Sequence, residues 1–218
     1  MRKFTFQTGD YYHLYNRGVD RRNIFIDNGD YFRFLNSMKE FNDTKPVVSL
    51  YLRRKAGQLR QQRGLAPFKG AKPLIEIIAY NLLPNHFHFI LKQLVNGGLS
   101  EFMKRLGGGY TGYFNNKYNR TGSLFEGTFK SIQIITNEYL LWLSAYVNGN
   151  ADIHRIAKIE NWHWSSYKDY LELRPGTLCN KKVILCQFKN IKEYKNLVET
   201  VIRDSKERKN EIKKYLLE

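Results

Sequence analysis

His86 and His88 stand two residues apart in the run Pro84-Asn85-His86-Phe87-His88-Phe89-Ile90-Leu91. On a β-strand alternate side chains share a face, so the two imidazoles point one way while Phe87 and Phe89 point the other. Two imidazoles roughly 6 to 7 Å apart along a strand can share one metal ion. The phenylalanines would bury the strand against a helical layer. Such a pair also occurs as two partly exposed histidines on an edge strand. Here the surrounding residues read as central and apolar, which favours a site.

A second pair lies further along. Tyr146 and Asn150 are four apart in a Leu- and aromatic-rich segment, so on a continuous helix the phenol and the amide project together. Gly149 is expected to loosen that last turn. A phenol with pKa near 10 is a poor nucleophile at neutral pH and needs activation, which a metal-bound phosphate would provide. Tyr110, Tyr113 and Tyr118 are rival tyrosines in a basic, aromatic stretch, with core packing and base stacking as their ordinary roles.

These residues need elements to position them. Leu74 to Tyr80 is a β-branched run that reads as a strand paired with the His-x-His strand through a turn at 81–85. Residues 10–18 read as a first strand, in which His13 could reach the metal but suits a structural role. Asp27 or Asn28 can cap a helix over about 29–41, with Phe32, Leu35, Met38 and Lys39 at helical spacing and Tyr31 and Phe34 widening the stripe. Val47 to Leu52 reads as a short strand. A helix over about 99–106 is expected to break at Gly107-Gly108-Gly109. Lys130 to Ile135 reads as another strand, and Thr136 as the N-cap of the helix that carries Tyr146. The character changes past Arg174-Pro175-Gly176, where Ile191 to Leu217 is a charged amphipathic helical region that could pack on the core, mediate a dimer or hold DNA. The expected division is a catalytic domain over 1–174 and a helical extension over 175–218.

Charge points to the partner. Of the 218 residues 36 are Lys or Arg against 20 Asp or Glu, a net charge of +16, which favours a polyanion and nucleic acid above an anionic membrane. Residues 53–72 carry seven basic side chains and no acidic one, among them Arg53, Arg54, Arg60 and Arg63, and suit a phosphate-gripping loop as well as a solvated charge run. Arg17, Lys117, Arg120 and Lys130 are further candidate contacts to nucleic acid. The chain opens without the apolar run of a signal peptide and has no membrane-length apolar segment. Cys179 and Cys186 are too few for a disulfide framework. A cytoplasmic, soluble protein is the expectation.

Leu83-Pro84-Asn85-His86-Phe87-His88-Phe89-Ile90 resembles the His-hydrophobic-His (HUH) motif of the single-strand transposases of small bacterial insertion sequences, and is most similar to that of the REP-associated tyrosine transposases. Three more stretches match in the family's order. They are Tyr12 to Gly18, Tyr118 to Ser131, and Tyr139 to Asn150 closed by Trp162-His163-Trp164-Ser165-Ser166-Tyr167. The resemblance spans about residues 10–170. It implies an α+β, ferredoxin-like antiparallel sheet with helices on one face and the HUH motif on a central strand. It further implies cleavage and rejoining of single-stranded DNA beside hairpins through a 5′-phosphotyrosine. By that likeness Tyr146 is the nucleophile, and His86, His88 and Asn150 hold Mg²⁺ or Mn²⁺. A homodimer is possible. Relatives commonly carry Asn-Pro in the last motif, where this chain has Asn150-Ala151.

Two other classes fit some of these features. The altered Asn150-Ala151 context suits a non-catalytic protein, descended from a transposase, that binds DNA or RNA hairpins. The histidines alone would suit a metal-dependent phosphodiesterase of small nucleotides, but such a substrate needs no extended basic surface.

Overall fold

The computed structural model describes residues 5–45 and 72–215, with side chains through residue 210. Among these, strand β1 (Tyr11–Arg17), helix α1 (Asn28–Glu40), strands β2 (Ile75–Leu83) and β3 (His86–Gln93), helix α2 (Gly98–Lys117) and strand β4 (Lys130–Ile134) follow in that order. The four strands lie side by side as β2-β3-β1-β4, and every neighbouring pair is antiparallel. A β-α-β-β-α-β order with this arrangement is the ferredoxin-like topology, and β3, which carries the histidines, is an internal strand. Helix α3 (Asn137–Ile153) and the long C-terminal helix α4 (Ile191–Tyr215) follow, separated by single turns of helix at Tyr167–Tyr170 and Lys182–Leu185.

Alternation sorts the sheet's side chains. Tyr12 and Leu14 of β1 and Phe87, Phe89 and Leu91 of β3 face a core shared with Phe34 and Met38 of α1 and Leu99, Phe102 and Leu106 of α2. The odd-numbered side chain of β1, His13, and the even-numbered ones of β3, His86 and His88, take the other face. That face is covered only in part. Ile78, Ala79 and Ile90 pack there against Leu143 and Val147 of α3, which in turn pack with Tyr194, Val198 and Ile202 of α4. The helices of the ferredoxin-like unit, α1 and α2, thus lie on one face as expected, and α3 with α4 adds a partial layer on the other.

Several local expectations shift. Asn81, Leu82 and Leu83 continue β2, so the hairpin turn is the two-residue Pro84-Asn85. Asp27 caps α1 through a reciprocal pair with Asp30, but the buried stripe runs through Tyr31, Phe34 and Met38, leaving Phe32 58% exposed and edge-on to Trp164. The glycine triplet does not break α2, which stays helical from Gly98 to Lys117. A Cβ on Gly109 would stand 2.7 Å from the Phe41 ring, so the glycine serves close approach of the chain leaving α1. Thr136 caps α3 through the amide of Tyr139 as expected. The expected strand over 47–52 and the basic residues Arg53, Arg54, Arg60 and Arg63 lie outside the described residues.

A strap of chain sets α3 on the sheet. Ser165 bridges to Asn81 of β2, and Trp162 donates its indole N–H to the Asn81 side chain at 2.9 Å. Asn81 donates in turn to the carbonyl of Val147 at 2.8 Å. Ser166 donates to Asn148 at 2.6 Å, and Asn148 to the hydroxyl of Tyr194 on α4 at 2.7 Å. Every member but the half-buried Trp162 is buried, so the network fixes the rotation and height of α3 and with them the places of Tyr146 and Asn150.

Candidate active site

The histidines of β3 belong to a row of four rings. His13 Nε2 lies 2.9 Å from His88 Nδ1, since the register that pairs Tyr15 with His88 sets His13 diagonally beside it on the same face. His88 stands edge-on to His86 at 5.2 Å between ring centroids, and His86 to His154 at 5.3 Å. His86 Nδ1 is 2.6 Å from Asn85 Oδ1. With the proton assigned to Nδ1 on both β3 histidines, each Nδ1–H has an acceptor and each Nε2 keeps its lone pair, the state of a metal-ligating imidazole.

Electrostatics keep these rings neutral. Burial pushes His13 down to about 4 and His86 also to about 4, the charge of nearby His154 adding to the effect on His86. Burial lowers His88 well below the ordinary value, with His13 and His86 contributing.

Helix α3 brings the other two residues. The ring of Tyr146 is edge-on to His88, 6.3 Å between centroids, and half-buried. It also stacks on Trp142 at 5.3 Å with 15° between the planes, and Trp142 stacks on Tyr139 in the same way. One turn on, Asn150 is wholly buried, and neither its amide nitrogen nor its oxygen has a hydrogen-bond partner. Its carboxamide stands close enough to His86 to favour that ring's protonated form, without meeting hydrogen-bond geometry. An orphaned carboxamide beside an unprotonated imidazole fits a shared cation, whose ligation would satisfy the oxygen. Gly149 does not loosen the turn. The helix runs on to Ile153, and a Cβ there would lie 2.6 Å from Ile202 of α4.

The histidines open onto a cleft of about 550 Å³ lined also by Tyr15, Arg17, Arg21, Lys130 and His154. Among the described residues no three His, Cys, Asp or Glu side chains form a metal site, so a set built on His86 and His88 draws on the amide. His154 is the ring of this row that the sequence reading passed over. It falls at the third step of the helical series Tyr146, Asn150, His154, which is the pattern that would have found it.

The candidate cations separate. Lys130 and Arg17 line the cleft, Arg17 bonded to Glu126 through two guanidinium nitrogens. Lys117 is elsewhere. Its ammonium lies 2.7 Å from Asp27 and 2.8 Å from the buried Asp30, where it offsets the carboxylate that caps α1. Its charge is therefore already paired within the fold. Arg120 is tied to Asn115 at 2.8 Å and lies over the Phe114 ring. No helix among the described residues is long and apolar enough to cross a membrane.

No curated protein matches the chain. Among solved structures it is similar to a REP-associated tyrosine transposase bound to a REP hairpin, at 15% identity and a TM-score of 0.49 over 83% of this chain and 93% of that one. It is also similar to a protein of Deinococcus radiodurans assigned as a transposase, at 14% identity and a TM-score of 0.33 over 67% of this chain and 93% of that one. Residues 69–150, which hold both β3 and the Tyr146–Asn150 turn of α3, match the family model of IS200-like transposases. Over those residues the chain is similar to the IS200-like transposases.

Proposed function

We propose that this chain cleaves and rejoins single-stranded DNA beside hairpin ends, with Tyr146 as the nucleophile. The observation that carries this reading is the meeting of two elements. The Tyr146 ring on α3 stands 6.3 Å from the His88 ring on β3, with the unpartnered Asn150 amide one helical turn away beside His86. The match of residues 69–150 to the model of IS200-like transposases supports a strand-cutting and strand-joining activity.

His86, His88 and Asn150 are the residues that would hold a divalent ion, Mg²⁺ or Mn²⁺. Bound there, such an ion would polarise the scissile phosphate and offset its developing charge. The protein's own part is positioning. Asn85 and His13 fix the β3 rings with their lone pairs available, and the α3 strap holds the phenol beside them. Lys130 and Arg17 lie along the cleft where the strand's phosphates would run.

In the cleavage step the phenol oxygen of Tyr146 bonds to phosphorus as the phosphorus–3′-oxygen bond breaks. The phenol proton passes to solvent and the 3′-oxygen takes one up. The products are a 5′-phosphotyrosine and a free 3′-hydroxyl. Another 3′-hydroxyl attacking that phosphotyrosine restores the phenol and joins new ends without ATP, because the covalent link replaces one ester by another.

The test is an adduct assay with Mn²⁺ and hairpin-bearing single strands. A protein–DNA adduct that survives SDS is expected for the parent and absent for Tyr146→Phe, which still binds the DNA. An adduct that persists in the variant and maps to Tyr113 overturns the assignment.

A further inference from the structure

Helix α4 lies outside the residues that match the transposase model, yet it reaches the edge of the cleft. Lys209 Nζ stands 3.3 Å from Nε2 and 3.4 Å from Nδ1 of His154, and His154 both lines the cleft and touches the His86 ring. His154, Arg155, Lys206, Lys209 and Asn210 line a hollow of about 220 Å³ that adjoins the cleft through His154.

The charges in this hollow are unequal in their partners. Lys206 is paired with Asp152. Among the described residues Lys209 has no carboxylate within ion-pair reach, and Arg155 meets only the neutral amide of Asn210, at 2.8 Å. Lys209 is also partly desolvated, which lowers its pKa, and its charge is felt at both His86 and His88. An ammonium set against an imidazole, with a guanidinium beside it and no counter-charge among the described residues, is an arrangement an anion completes.

We propose that Lys209 and Arg155 form a phosphate subsite that holds a phosphodiester adjoining the one to be cut, so that the C-terminal helix takes part in binding the strand. The ligand class is a nucleic-acid backbone phosphate. The position fits no other source as well, since the hollow opens on the same cleft as the β3 histidines. The subsite rests on the reading of that cleft as a DNA site, but not on Tyr146 being the nucleophile.

The experiment measures binding, in the full-length Tyr146→Phe protein so that no adduct forms. The probe is a hairpin oligonucleotide with single-stranded flanks, titrated across a range of salt concentrations. Lys209→Ala is expected to weaken binding severalfold and to make the slope of log K against log salt shallower by about 0.7, the value for one single-strand phosphate contact. Lys195→Ala, on the same helix in an i,i+4 pair with Glu199, serves as the control and should leave both unchanged. Replacing single phosphates by methylphosphonates should reveal one linkage whose neutralisation weakens the parent and not Lys209→Ala. Lys209→Gln, which keeps most of the side chain without its charge, guards against a folding defect and should behave as Lys209→Ala does. Unchanged affinity and slope in both variants overturn the subsite. Binding that depends on Lys209 in a protein found to form no adduct leaves the subsite standing and rejects the cleavage reading. Failure of the parent to bind the probe at all overturns both.

Discussion

His13 Nε2 and His88 Nδ1 face each other at 2.9 Å across two neighbouring strands. One ring must donate, and donation from His88 leaves its Nε2 free for a cation while fixing the ring's rotation. His13 is thus a positioning residue for the site. Loss of such a partner typically lowers metal affinity 10- to 100-fold. His13→Ala is expected to weaken Mn²⁺ binding by about that factor in a calorimetric titration. His13→Gln, whose side-chain oxygen can still accept, should recover part of it. Equal Mn²⁺ affinity in parent and His13→Ala would remove the positioning role.

Asn150 gives a contrasting signature. An amide buried without a partner destabilises the metal-free fold by roughly 1 to 3 kcal/mol. Asn150→Leu, close in volume and without polar atoms, should therefore melt no lower than the parent in the presence of a chelator. The rise in melting temperature that Mn²⁺ produces in the parent should shrink in the variant, because one ligand is gone. A variant that melts several degrees lower without metal would show that the amide serves the fold instead.

The alternation of His86, His88, Phe87 and Phe89 was legible because a strand has a strict period of two and one face had to be apolar. The caps at Asp27 and Thr136 were legible for a similar local reason. The continuity of α2 was not. Each helical glycine costs about 1 kcal/mol relative to alanine, so a triplet argues for a break. What overrides it is the Phe41 ring, which comes from far enough away in sequence to be invisible there. Phe32 is more apolar than its neighbour Tyr31, yet Tyr31 is the buried one, and only the packing of α1 on the sheet makes that choice. In the site, Tyr146 and Asn150 follow from helical spacing, whereas Lys209 reaches His154 through tertiary packing of α4 that no local pattern encodes.

Gly149 tests how closely that packing couples α4 to the helix that carries Tyr146. A methyl group there would sit 2.6 Å from Ile202 Cγ1, so Gly149→Ala should destabilise the protein by about 1 to 3 kcal/mol. Combining it with Ile202→Ala should cost less than the sum of the two single changes, since the second makes room for the first. Urea denaturation of the four proteins measures the coupling. Additive effects would mean that α3 and α4 do not meet at this point.

Lys117 and Lys130 are expected to separate fold from binding. Asp30 is buried and accepts from Lys117, Tyr118 and the amide of Ile26, each at 2.8 Å. Desolvation works to raise its pKa, but these donors outweigh it and hold the carboxyl below the ordinary range. Asp30→Ala takes away the acceptor of these donors and half of the α1 cap, so it should lower stability by about 1 to 3 kcal/mol in urea denaturation. Lys117→Met should also destabilise, yet leave the salt slope of DNA binding as it is. Lys130→Ala should do the reverse, with normal stability and a slope shallower by about 0.7. A shallower slope for Lys117→Met would return that residue to the DNA surface.

The histidine row also sets an acid limit. Burial holds His13 and His86 at about 4 in the folded protein against 6.5 for an unperturbed imidazole. Between those values the unfolded chain binds protons that the folded chain refuses. These groups therefore contribute fully above pH 6.5, and their contribution is lost as pH falls from 6.5 towards 4. Each such histidine adds about 1.4 kcal/mol per pH unit to the slope inside the window. Replacing His13 by Phe removes one titrating group without opening a cavity. The slope of urea-derived stability against pH should then decrease by that one increment, while the curve above pH 6.5 keeps its shape. An unchanged slope would mean that His13 is solvated and charged in the folded protein, and then it could not serve as the neutral acceptor that orients His88.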